Sequence, residues 1–200
     1  MSRPNQALVP HPRRLAAVPV LAALLLALAL PAGTAAGGSG ATVIRGTQLA
    51  YGTCGPNGDG YLMTGALEGC WWITEFNPQS GDSSHNLRAT GKEHFEGFIG
   101  SLEGSFDTSF QYTAKFDGPW TSSAEIHGRC HHPIIAGSGT GDLAGITGQL
   151  SFTDVVDVDP PYYPYWGSIR IPGVGSLDLT AGTSASASRT ASAARTASSC

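Results

Sequence analysis

The twelve residues from Ser105 to Phe116 alternate strictly. Phe106, Thr108, Phe110, Tyr112, Ala114 and Phe116 share one parity, and Ser105, Asp107, Ser109, Gln111, Thr113 and Lys115 share the other. Successive side chains of a strand point to opposite faces, so this pattern predicts a half-buried strand with one wet face. Further strands are predicted near Thr42–Ala50, Tyr61–Phe76 (bent at Gly65 or Gly69), Asn86–Ile99, Ser122–Cys130, Gly148–Val156 and Trp166–Ile171, with a short one at Leu177–Thr180. Between the leader and the tail no window sustains apolar residues at helical spacing, because Gly or Pro interrupts nearly every ten residues. Seven or eight strands at this spacing make an all-β sandwich or barrel. An internal echo, Gly65-Ala-Leu-Glu-Gly-Cys-Trp71 and Gly100-Ser-Leu-Glu-Gly-Ser-Phe106, reads as a recurring hairpin corner, with Gly141 to Gly145 as a weaker third copy.

The ends of the chain have other characters. Arg3, Arg13 and Arg14 precede the apolar run Leu15–Leu30 and the small-residue segment ending Thr34-Ala35-Ala36, which is the pattern of an export signal over residues 1–36. The run is shorter than the ~20 residues that span a bilayer, so no integral membrane segment is expected in the mature chain. Residues 37–40 read as a linker, residues 41–180 as one β domain, and the Ser/Ala/Thr/Arg-rich residues 181–200 as a disordered tail. The expected location is extracellular. Removing the leader takes away three arginines and leaves eight basic residues against fifteen acidic. That balance argues against nucleic acid as a partner.

Export permits disulfides. Of the four cysteines, Cys200 ends the tail, and Cys54 sits in a Gly-rich loop where an exposed thiol would oxidise. Cys54 is expected to pair with Cys70 or Cys130, the other being an inert buried thiol.

Between Gly128 and Asp154 there are six glycines, five of them set among short apolar runs behind Arg129-Cys-His-His-Pro133. The elements Gly128-Arg-Cys-His-His-Pro-Ile134 and Gly137-Ser-Gly-Thr-Gly-Asp-Leu-Ala-Gly-Ile-Thr-Gly148 resemble those of small secreted bacterial domains without assigned function. The glycine element is also similar to that of the calycin-like barrels related to allene oxide cyclase. The resemblance spans about residues 60–171 and implies an eight-stranded antiparallel barrel. It carries over no catalytic residue.

Gly139 to Ala144 matches a dinucleotide fingerprint, but it leads into a strand where the phosphate site needs a helix, so no cofactor is expected. His127 and His131 would lie ~13 Å apart along a strand, too far to share a metal ion. Asp142, Asp154, Asp157 and Asp159 lack the glycine and bidentate glutamate of an EF-hand, and no metal site is assigned. Two readings of function remain. In the first, the barrel binds a small apolar ligand or a partner at its mouth, with Trp72, Phe110, Tyr112 and Trp166 as contact residues. In the second, the polar row Glu125, His127 and Arg129 (with Glu75) faces the lumen as the acid–base site of a cofactor-independent cyclase or isomerase. A solvated outer face is the plainer account of that row.

Overall fold

A computed structural model describes residues 40–175, Leu177 and Leu179. The export leader, the tail and Cys200 lie outside the described residues. Eight strands form the fold: β1 (Thr42–Cys54), β2 (Gly60–Gly65), β3 (Leu67–Pro78), β4 (Asn86–Ile99), β5 (Leu102–Phe116), β6 (Glu125–Pro133), β7 (Thr147–Thr153) and β8 (Tyr163–Arg170). Each pairs antiparallel with the next, and β8 returns to β1 from Thr42↔Ile169 to Gln48↔Tyr163, closing the sheet into a barrel. Closure removes the edges that an open sheet would leave for aggregation.

The predicted parity of β5 holds: Phe106, Thr108, Phe110, Tyr112, Ala114 and Phe116 are buried. The single strand expected over 61–76 is two strands, because Gly65 takes φ 93° and the chain turns at Ala66. Both copies of the glycine echo start a strand after a hairpin turn. Their aromatic ends, Trp71 and Phe106, meet edge-to-face in the core at 6.0 Å. The glycine-rich segment contains a single 3-10 turn, Gly141–Leu143, whose Leu143, with Ile146 beyond it, is fully buried at the barrel end where β5 begins and β6 ends. It leads into β7, a strand.

Eight strands enclose an interior that side chains can fill. Here Trp71, Phe95, Phe106, Phe110, Tyr112, Phe152 and Tyr165 do so, each at 2 % exposure or less. Tyr165 also straps the wall. It packs over Gly46, accepts a hydrogen bond from the Leu67 backbone N–H (2.7 Å) and donates one to the Thr64 carbonyl (3.0 Å). A side chain at Gly46 would collide with both the Thr64 carbonyl and the Tyr165 hydroxyl. Cys54 bonds to Cys70, tying the end of β1 to β3. Cys130 is buried but disulfide-bonded as well, and is not the free thiol expected.

Candidate functional site

Along β4 the inward parity runs Leu87, Ala89, Gly91, Glu93, Phe95, Gly97, Ile99, so one carboxyl stands in an apolar row. Along β6 the inward residues are Gly128, Cys130 and His132. Barrel closure brings Glu93 and His132 together: His132 Nδ1 lies 2.6 Å from Glu93 Oε2, and each side chain is only 1 % exposed. Thr108 on β5 donates its hydroxyl to the same carboxyl oxygen at 3.1 Å. In the tautomer that sets the ring proton at Nδ1, against the carboxyl, Nε2 is an acceptor.

Aromatic rings surround this group. Phe152 lies 4.5 Å from the His132 ring centre, Trp71 5.6 Å and Phe110 6.3 Å. His132 Nε2, Glu93 Oε1 and Trp71 Nε1 are buried without a hydrogen-bond partner among the described residues. A buried polar atom left unpaired costs about 1–3 kcal/mol, and most find partners. Three in one lumen mark it as the chemically unusual part of the molecule.

A second polar group lies towards the other end of the barrel, where β7 finishes. Tyr112 donates to Asp154 Oδ2 at 3.2 Å, and the Glu125 carboxyl is hydrogen-bonded to Asp154. Gly128 makes the room, since a Cβ there would overlap oxygens of both acids. Burial, then the Glu125 hydrogen bond and charge, push the Asp154 pKa from 3.8 to about 9. The folded state therefore holds a proton that the unfolded chain releases near pH 4. The stability from protonated Asp154 is fully present below 3.8 and is lost as pH rises through about 9. Melting temperature is expected to fall from pH 5 to pH 9, and Asp154→Asn should flatten that slope and raise the melting temperature at pH 9. A variant that keeps the wild-type slope would show that another group carries it.

The row Glu125, His127, Arg129 does not face the lumen together. His127 and Arg129 are exposed on the outer wall, and His131 is half-buried there. Glu125 alone turns in, because a register shift between Lys115↔His127 and Phe116↔Glu125 inserts one residue and reverses the parity. Ile126 is accordingly outside, 48 % exposed. Glu75 is also outside, paired with Lys92 at 2.9 Å. The four expected ligand contacts divide. Phe110 and Tyr112 are interior, whereas Trp166 is 48 % exposed and Trp72 is half-buried, its ring tilted against that of His94 at 4.5 Å between centres; His94 pairs with Asp107. Neither Glu93 nor His132 was among the site residues expected from the sequence; His132 has the opposite parity to His131, which places it inside.

No family model, curated protein or solved structure matches the chain. Its class is set by its own architecture, a closed eight-stranded antiparallel β-barrel with a buried carboxylate–imidazole pair at the centre. No helix among the described residues is long and apolar enough to cross a membrane.

Proposed function

We propose that the chain is an exported barrel, of the calycin-like kind related to allene oxide cyclase, that binds a small, flat, apolar ligand bearing one hydroxyl group in its lumen. The observation carrying this reading is the set of unpaired buried atoms among aromatic rings. A ligand hydroxyl donates to His132 Nε2, and its oxygen accepts from Trp71 Nε1–H, while the apolar body replaces ring-to-ring contacts. The rings fill the interior, so entry requires side chains to swing aside, and association should be slower than the ordinary 10⁵–10⁷ M⁻¹s⁻¹.

Calorimetric titration with phenol tests this, with anisole and toluene as matched ligands that cannot donate. Phenol is expected to bind at least tenfold more tightly than either, about 1.4 kcal/mol, within the range for satisfying a buried acceptor. Equal affinity for all three, or no heat with phenol, would overturn the reading.

The same pair favours a second reading. A carboxylate orienting an imidazole is the geometry of a general base, with Nε2 as the basic atom. A lumen of this kind would abstract a proton next to a carbonyl without metal or nucleotide, as a cyclase or isomerase does. Cyclohexanone in D2O is the probe: Nε2 takes an α-proton and a solvent deuteron replaces it. Exchange faster than in buffer and lost in His132→Gln supports catalysis. Exchange at the buffer rate leaves binding alone.

A further inference from the structure

The outer wall of β4–β8 and β1 holds a second, independent feature. Read across the register, Asn86, Lys115 and His127 form one row, and Arg88, Thr113, Arg129 and Thr153 the next. A third row runs Thr90, Gln111, His131, Ser151, Trp166 and Arg45. These three rows contain no carboxylate. They contain Arg45, Arg88, Lys115 and Arg129, four of the six lysines and arginines among the described residues. None of the four has an ion-pair partner there, whereas Lys92, outside the rows, pairs with Glu75.

Two grooves of about 630 and 510 Å3 lie on this wall and share Thr113, Arg129 and Thr153, so they form one trough centred on Arg129. Trp166 lines its far part and is half-exposed there. With strands ~4.8 Å apart, the trough from Arg88 on β4 to Trp166 on β8 follows the curved wall over four spacings, on the order of 19 Å.

We propose that this trough binds an acidic polysaccharide, a uronate-type chain laid across the strands. Arg88, Lys115 and Arg129, which line the trough, meet its carboxylates. The Thr, Ser and Gln side chains between them hydrogen-bond sugar hydroxyls, and Trp166 offers a flat apolar ring to a sugar face. The chain as a whole is acidic, with a net charge of −4, so the cationic trough is a local departure from its surroundings. A long-range attraction for any polyanion is thereby weakened, and recognition falls to groups in contact. This site does not depend on the occupancy of the lumen.

The test is titration of the full chain with a hexameric oligogalacturonate, followed by Trp fluorescence and calorimetry. Binding is expected, weakening as salt is raised from 50 to 300 mM, with at least a tenfold loss in Arg129→Ala and in Trp166→Ala. Both side chains are exposed, and far-UV circular dichroism checks that each variant remains folded. Lys92→Ala should bind like the parent. A neutral hexasaccharide binding equally well would remove the role of charge. Oligodeoxythymidylate binding equally well would show a general polyanion surface. Either result, failure to bind the uronate, or variants that bind as the parent does, overturns the proposal.

Discussion

His132→Leu should destabilise the fold by about 3–5 kcal/mol, because it strands a carboxyl in an apolar lumen with only the Thr108 hydroxyl for company. The double variant Glu93→Leu/His132→Leu should recover most of that loss. Replacing a whole buried pair by apolar side chains is commonly neutral or stabilising, whereas removing one partner is not. Urea unfolding followed by circular dichroism gives both values from the midpoint and slope. If the double variant is less stable than either single one, the two side chains contribute as separate packing elements and the pair is not a coupled unit. Recovery in the double variant has a further meaning: the pair is then retained at a cost to stability, as polar groups at functional sites often are.

Trp71→Ala is the second large effect. Trp71 is 1 % exposed and touches Phe95, Phe106, His132 and Phe152, so truncation removes the largest ring at the centre of the lumen. A loss of about 3–5 kcal/mol is expected. The space vacated is apolar except for the His132 edge, so indole should enter and restore stability by mass action. At a hundredfold excess over its Kd the gain is about 2.7 kcal/mol. Thermal melting with and without indole measures this. No gain at saturating indole would mean that the neighbouring rings collapse into the space and that the lumen does not hold ligand-sized volume.

The fold was legible in the chain wherever alternation was strong. The predicted strand Asn86–Ile99 coincides with β4, and the parity of β5 needed no correction, since a one-residue slip would have exposed Phe106, Phe110 and Tyr112 together. The closed barrel of eight antiparallel strands that the glycine-rich element implied is also what the chain forms. The partner of Cys54 was not legible, because Cys70 and Cys130 are told apart only by which strand closure brings near.

The site was half legible. A glutamate between Gly91 and Phe95 on an apolar parity was a readable signal, as was a histidine on the parity of Gly128 and Cys130. Their meeting was not, because Glu93 and His132 are 39 residues apart and sit on strands that are not neighbours. The inward turn of Glu125 was hidden as well: a bulge inserts a residue without any local mark in the sequence, and every parity argument across it then reverses. The cationic trough was masked by the acidic total, which says nothing about where on the wall Arg88, Lys115 and Arg129 gather.

Nitrogen NMR of histidine-labelled protein, with an indole-labelled Trp71, addresses the lumen directly. His132 should show a protonated Nδ1 and a bare, acceptor-type Nε2 in the free protein. Saturating phenol should move the Nε2 resonance and the Trp71 indole N–H together, leaving the exposed His127 unchanged. A proton resident on Nε2 with Nδ1 bare, or resonances of His132 and Trp71 that stay fixed at saturating phenol, would contradict a ligand site at the centre of the barrel.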